Sequence, residues 1–356
     1  MKIVHVVECF AGGTFNFISA LTNKLNTEQH IIIYGIDRDN TPHDFKEIFP
    51  DGTIFYEWKN AKRNINPIKD LKALIELCKI LRRIKDIDVI HLHSSKAGFL
   101  GRIAAFLLRK TDKVLYTTHA ISFLRLDVSL KKRKVFVLME KIGSLFGGQI
   151  IACSKSEMEA IKAKGIKNVI YINNGIEPIM LKASKKKLGK FTVISIGRLS
   201  IQKNPRLFNE IAERFIDYKD IEFIWCGDGE LRHELTSPNI RVTGWIDKDE
   251  IIDNLSKADL YLSTSLWEGL PLSVLEAMSI GLPLILSNCI GNVDLKIDSN
   301  YIYSQAKEAE KKINLLYLKS NLLKQKGIES RKIFLESFTL NKMSKKYLYL
   351  YRKINV

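Results

Sequence analysis

The stretch Glu268-Gly269-Leu270-Pro271-Leu272-Ser273-Val274-Leu275-Glu276 decides the reading of this 356-residue chain. It follows an apolar, strand-like run, Asp259-Leu-Tyr-Leu-Ser-Thr264, and Pro271 sits where a helix would begin. Proline is tolerated in a first helical turn because its missing N–H would be unpaired there anyway. The order is therefore strand, glycine-containing turn and helix N-terminus, whose free N–H groups attract anions. The flanking glutamates would repel an anion unless they face hydroxyl groups at either end of the same ligand. A sugar nucleotide has that layout, with a diphosphate between sugar and ribose hydroxyls.

Two carboxylates beside a diphosphate need cations, and Ile194-Ser-Ile-Gly197-Arg198-Leu-Ser-Ile-Gln-Lys203-Asn204-Pro205 supplies them. An apolar strand ends at Gly197, Arg198 follows at once, and Lys203 precedes a second proline-started helix. Arginine grips phosphate oxygens with two parallel hydrogen bonds, and lysine acts as a mobile point charge. At an effective dielectric near 20, unit charges about 4 Å apart interact by roughly 4 kcal/mol. The charges balance without a metal, so neither a metal nor another cofactor is expected.

Taken together, Glu268-x7-Glu276 and Gly197-Arg198-Leu199…Lys203-Asn204 resemble the retaining glycosyltransferases of the GT-B fold, specifically glycosyltransferase family 4. Gly12-Gly13-Thr14, His93-Ser-Ser-Lys96-Ala-Gly98 and Thr117-Thr118-His119 are similar to the branch that builds bacterial capsules, O-antigens and exopolysaccharides. The resemblance implies two doubly wound Rossmann-like α/β domains facing across a cleft, the acceptor mainly in the first and the donor in the second. It implies a nucleotide-diphosphate sugar donor, UDP-linked, and a lipid-linked acceptor of the undecaprenyl-diphosphate type. It also implies that His119 contacts the donor sugar. A sugar-nucleotide 2-epimerase on the same architecture is one rival, and a non-catalytic subunit that binds lipid intermediates is another. Donor alone separates the first, since an epimerase needs no acceptor.

The length suits two domains. No apolar run approaches the roughly 18 residues of a membrane span. The start, Met1-Lys-Ile-Val-His-Val-Val-Glu, reads as a first strand rather than a signal peptide, because His5 and Glu8 interrupt its apolar stretch. The five cysteines are scattered and odd in number, which argues against a disulfide or metal framework and fits a reducing cytoplasm. The net charge of +17 raises nucleic acid as a partner, but no basic stripe interleaved with aromatics accompanies it, and none is expected to bind. The competing partner is an anionic membrane face, with Lys131-Lys132-Arg133-Lys134 beside Val135-Phe-Val-Leu138 as the candidate patch. A solvated helix face is the plainer alternative. The expected location is cytoplasmic, peripheral at the inner face of the plasma membrane.

Apolar runs at Lys2–Val7, Gln29–Tyr34, Val89–His93, Val114–Thr118, Gln149–Ala152 and Val169–Ile172 alternate with helical patterns, as in a parallel sheet covered on both sides. A linker over 174–190, with Lys185-Lys-Lys187, separates a domain over 1–173 from one over 191–337. The pattern restarts with strands near Phe191–Ile196, Glu222–Cys226, Ile240–Thr243, Asp259–Leu262 and Pro283–Ser287, and Asp247 with Glu250 forms a capping box. The tail over 338–356 reads as a helix with Leu340, Met343, Tyr347 and Leu350 on one face, and the resemblance implies that it crosses back to the first domain.

Several residues carry two readings. Gly12 and Gly13 either let the backbone approach a ligand or turn the chain tightly. Lys96, at a helix start where a cation opposes the dipole, meets an acceptor phosphate or is solvent-exposed. Trp245 marks the loop that meets the nucleotide base, or is a core residue. Glu276 accepts from ribose hydroxyls, while Gly269, Leu270, Pro271 and Leu272 bring backbone to the diphosphate. Glu268 serves donor-sugar hydroxyls or the anomeric centre. His91 and His93, on either side of Leu92, are expected on opposite strand faces, which would prevent joint metal binding.

Overall fold

A computed structural model of the chain describes residues 1–36, 41, 44–62, 66–181 and 189–355. They form two compact units, Met1–Asn174 with Leu340–Val356, and Gly175–Thr339. The run Lys185–Lys187 lies outside the described residues.

In the first unit, the described strands are β1 (Lys2–Val7), β2 (Gln29–Gly35), β3 (Ile54–Trp58), β4 (Val89–His93), β5 (Val114–Thr117), β6 (Gln149–Ala152) and β7 (Val169–Tyr171). They form one parallel sheet in the order β3-β2-β1-β4-β5-β6-β7. Helices α1 (Gly12–Lys24), α2 (Pro67–Arg83), α3 (Ser95–Leu107), α4 (Leu130–Leu145) and α5 (Lys155–Lys162) connect them. Strands β1 and β4 are almost wholly buried, as expected where helices cover both faces of a parallel sheet, and their histidines, His5, His91 and His93, are buried with the apolar residues. The sheet has one strand, β3, that the apolar runs did not reveal. It is a half-exposed edge, and its Ile-Phe-Tyr-Glu-Trp sequence lacks a buried run.

The second unit repeats the plan with β8 (Phe191–Ile196), β9 (Ile221–Cys226), β10 (Ile240–Val242), β11 (Leu260–Ser263), β12 (Leu284–Ser287) and β13 (Ile302–Tyr303). Their order is β10-β9-β8-β11-β12-β13, and every described pairing is parallel. The helices are α6 (Pro205–Glu213), α7 (Lys248–Lys257), α8 (Leu272–Ser279), α9 (Ala306–Leu318) and α10 (Ser320–Ser337). Local chemistry starts them. Asn204 accepts from the Leu207 N–H ahead of Pro205, and Asp247 and Glu250 complete both hydrogen bonds of the capping box, at 2.8 and 3.2 Å. Pro271 caps α8, and Leu272 is its first helical residue.

The last helix, α11 (Leu340–Lys353), belongs to the first unit. Leu340, Met343, Tyr347 and Leu350 are buried along one face, and Tyr351 joins them. Its tyrosines reach the sheet: Tyr351 Oη lies 2.7 Å from His91 Nδ1, and Tyr347 Oη lies 3.0 Å from Thr117 Oγ1.

In both sheets the chain works outward from the first strand, then jumps back and works outward the other way. The jumps leave crevices beyond the carboxyl ends of β1 and β4, and of β8 and β11. Open parallel sheets bind ligands at such switch points.

Candidate active site

At the second unit's switch point, β8 feeds the loop that carries Gly197, Arg198, Gln202 and Lys203. Strand β11 feeds the loop that carries Ser265 and Glu268. Lys203 Nζ donates to Glu268 Oε1 at 2.7 Å, and Ser265 Oγ donates to the same oxygen at 2.8 Å. Gln202 Nε2 approaches Oε2 at 3.3 Å while also donating to the Trp267 carbonyl. Glu268 is thus held from one side by a cation and a hydroxyl, and Oε2 keeps more accepting capacity. Only 6% of the residue is exposed. Burial opposes the Lys203 charge, but the Glu268 carboxylate and Tyr261 more than offset this and hold the ammonium above its usual pKa.

Glu276 faces the same group of charges from α8. Burial raises its carboxyl to about 7, and Lys248 and Lys203 pull it only partly back. Tyr261, buried beneath them, feels Lys203, Glu268 and Glu276 and donates to Ser273 Oγ at 3.0 Å. The structure therefore brings Lys203, Glu268 and Glu276 together at the α8 N-terminus, beside the Gly269-Leu270-Pro271-Leu272 turn.

Arg198 has a different partner. Its Nε donates to Glu230 at 3.0 Å, and both side chains are about half exposed, at 49% and 52%. An exposed pair of this kind is worth about 0–1 kcal/mol, so an incoming phosphate can displace it cheaply. Trp245 is 62% exposed in the loop after β10, so its reading as a core residue is wrong.

Close backbone packing builds the loop cluster. A Cβ on Gly227 would stand 2.3 Å from the Gly197 carbonyl oxygen, which glycine alone permits. Gly291, at φ +89°, backs onto Glu268, where an added Cβ would meet the Glu268 Cβ at 2.8 Å. The Glu268 N–H also donates to the Ile290 carbonyl at 3.0 Å. Gln202, Ser265, Tyr261 and Gly291 were not singled out from sequence. Only Gly291, placed just after an apolar strand, carried a signal there.

In the first unit, Gly12 (φ +55°) and Gly13 are exposed beyond β1, and a Cβ on either would meet open space. Tight packing therefore does not demand glycine here, while the positive φ of Gly12 favours it. Thr14 follows in the first turn of α1. Lys96 is not solvent-exposed: its Nζ sits 2.7 Å from Asp70 Oδ1, with 11% of the side chain accessible.

His119 follows β5 with φ +50°, and Ala120 has φ +70°. Two successive non-glycine residues in the left-handed region are costly, by about 1–3 kcal/mol each. The buried Glu157 carboxylate holds this loop, accepting from Thr118 Oγ1 at 2.8 Å and from the Ile121 and Cys153 N–H groups at 2.7 Å each.

The expected separation of His91 and His93 is wrong. Residues two apart on a strand share a face, and their rings lie 4.0 Å apart. His5, paired with His91 in the β1–β4 register, joins them. Ligand atoms of all three fall within 4.8 Å of one another, so geometry does not prevent joint metal binding. Each of the six ring nitrogens nevertheless already has a hydrogen-bond partner.

Comparison with known proteins accounts for both units. The Glycosyltransferase Family 4 model matches residues 11–178, and the model for Glycosyl transferases group 1 matches 177–333. The chain is 36% identical over 260 residues to the Escherichia coli UDP-Gal:alpha-D-GlcNAc-diphosphoundecaprenol alpha-1,3-galactosyltransferase, covering 65% of each chain. It is 31% identical to an uncharacterized 41.2 kDa protein in the cps region of Klebsiella pneumoniae, covering 81% of each. The crystal structure of Anabaena HepE with UDP and glucose superposes with a TM-score of 0.81 at 17% identity, over 99% of this chain and 100% of that one. The architecture is GT-B, and the chain belongs to glycosyltransferase family 4.

Proposed function

We propose that this glycosyltransferase moves a sugar, with retention of anomeric configuration, from a UDP-linked donor to a saccharide carried on undecaprenyl diphosphate, in cell-surface polysaccharide synthesis. The observation that carries the reading is the Lys203–Glu268 pair with Glu276 at the β8/β11 switch point. The E. coli relative's printed activity, UDP-galactose as donor and a diphosphoundecaprenol-linked acceptor, supports the substrate class.

The chemistry follows from the charges. Glu276 accepts from the ribose hydroxyls. The α8 amides and Lys203 receive the diphosphate, and Arg198 leaves Glu230 to join them as charge develops on the departing group. Glu268 Oε2 accepts from a donor-sugar hydroxyl, while Oε1 stays committed to Lys203 and Ser265. An oxocarbenium-like transition state suits a front-face path in which the leaving phosphate helps deprotonate the acceptor hydroxyl. Protein cations carry the leaving group in this scheme, without a metal.

Helix α4 is the proposed membrane contact. Lys131, Lys132 and Lys134 are exposed there beside Leu130 (71%), Leu138 (56%) and Leu145 (81%). Basic residues near an anionic bilayer contribute about 1 kcal/mol each. This supports the reading of the enzyme as peripheral at the cytoplasmic membrane face. Lys131→Glu/Lys134→Glu should abolish sedimentation with phosphatidylglycerol vesicles, and unchanged sedimentation refutes the contact.

The deciding assay supplies UDP-galactose with and without GlcNAc-diphosphoundecaprenol. Release of UDP together with a lengthened lipid-linked saccharide is expected only with the acceptor. An altered sugar nucleotide from donor alone would establish an epimerase instead.

A further inference from the structure

Four histidines form a single hydrogen-bonded row across one face of the first sheet. His30 Nε2 lies 2.9 Å from the Leu25 carbonyl oxygen, and His30 Nδ1 lies 3.4 Å from His5 Nε2. His5 Nδ1 lies 3.0 Å from His93 Nε2, and His93 Nδ1 lies 3.0 Å from His119 Nε2. The row runs from β2 through β1 and β4 to the residue just beyond β5, in the spatial order of those strands. His5, His30 and His93 are buried, and His119 keeps part of its surface open.

A carbonyl oxygen only accepts, so the His30 Nε2 must carry hydrogen. A neutral imidazole has one N–H and one bare nitrogen, so the His30 Nδ1 is bare and accepts from His5 Nε2–H. The same logic passes along the row. His5 Nδ1 accepts from His93 Nε2–H, and His93 Nδ1 accepts from His119 Nε2–H. One end fixes every tautomer. Neutrality follows from burial, which lowers all four pKa values and brings His119 to about 3. His119 Nδ1 has no partner among the described residues, and the hydrogen bond to His93 and the edge contact with Phe17, 4.7 Å between ring centroids, hold the ring in place.

We propose that His30, His5 and His93 are positioning residues that lock His119 as the Nε2–H tautomer, so that its bare Nδ1 is presented as an acceptor for a sugar hydroxyl. The proposal rests on the family resemblance, which implies that His119 contacts the donor sugar. It adds that the contact selects a hydroxyl donor and rejects a phosphate oxygen, because a neutral imidazole offers phosphate no hydrogen at Nδ1.

The test is long-range ¹H–¹⁵N spectroscopy of the full-length, histidine-labelled protein without ligand, in wild type, His93→Leu and His93→Gln. The wild type should show His119 with hydrogen on Nε2 and a bare Nδ1. His93→Leu should populate the other tautomer. His93→Gln should restore the wild-type pattern, because its amide both donates toward His5 and accepts from His119. With UDP-galactose as donor probe, His93→Leu should raise donor KM about fivefold to tenfold, the scale of one neutral hydrogen bond, and His93→Gln should recover most of it. Hydrogen on His119 Nδ1 in the wild type overturns the proposal, even if the variants do not fold. So does zinc binding by the wild type with displacement of the His5, His91 and His93 nitrogen signals. Unaltered kinetics in His119→Phe would refute the substrate contact alone, with the tautomer spectra still deciding the row.

Discussion

Glu276 links stability, pH and nucleotide binding in one measurable way. Its carboxyl sits at about 7 in the folded protein, against an ordinary value of 4.5. The folded state therefore keeps a proton that the unfolded chain releases, and stability falls as pH rises between those values. The contribution is fully favourable below about 4.5 and wholly lost above about 7. One pKa unit is worth about 1.4 kcal/mol, so the interval corresponds to about 3 kcal/mol. The residue is partly accessible, and solvent screening reduces the effect to roughly half of that. Glu276→Gln removes the titration. At pH 8 the ligand-free variant should melt roughly 3–6 °C higher than wild type, taking about 2–4 °C per kcal/mol for a domain of this size. At pH 4 the two should coincide. In the proposed function ribose hydroxyls donate to the ionised carboxylate, so UDP should stabilise the wild type increasingly through pH 7. The variant should bind UDP about 10–100-fold more weakly, the loss of a charge-assisted hydrogen bond of about 1.5–3 kcal/mol. Scanning calorimetry from pH 4 to 9, with and without UDP, measures both effects. A variant that is no more stable at pH 8, or that binds UDP like wild type, refutes the reasoning.

Other substitutions test the remaining parts of the site. Arg198→Ala removes only an exposed ion pair from the resting protein. Its melting temperature should be unchanged while turnover falls by about two orders of magnitude or more, and near-normal transfer would count decisively against the assigned role. Lys203→Ala leaves Glu268 buried without its cation and should cost about 3 kcal/mol in urea unfolding. Adding Glu268→Gln to it should recover part of that loss, and a strictly additive double variant would deny the coupling. Gly291→Ala forces a Cβ against Glu268 at positive φ. It should cost roughly 1–3 kcal/mol and depress kcat, whereas Gly13→Ala, facing open space, should leave stability within about 0.5 kcal/mol.

Much of the scaffold is encoded locally. Continuous apolar runs mark the buried strands. Asn204-Pro205 and Asp247…Glu250 start their helices through bonds to residues three positions away, so no distant partner is needed to read them. The Glu268-x7-Glu276 spacing places one carboxylate in the turn and one on α8. Strand β3 escaped this reading because a half-exposed edge has no buried run. The error over His91 and His93 was one of strand parity, which the sequence itself could have corrected.

What the sequence determined by itself was the alternation of strand and helix, the helix starts and the residue types gathered around the turn from Glu268 to Leu272. Tertiary structure alone decided their partners. Lys203 meets Glu268, 65 residues away, because β8 and β11 are neighbours at the point where the sheet reverses direction. His5 meets His93 because β1 and β4 pair in one register, and Tyr351 reaches His91 across 260 residues because α11 packs on that face. Local patterns record which face of an element is buried. Which element lies opposite depends on strand order and register, set by the packing of the whole sheet.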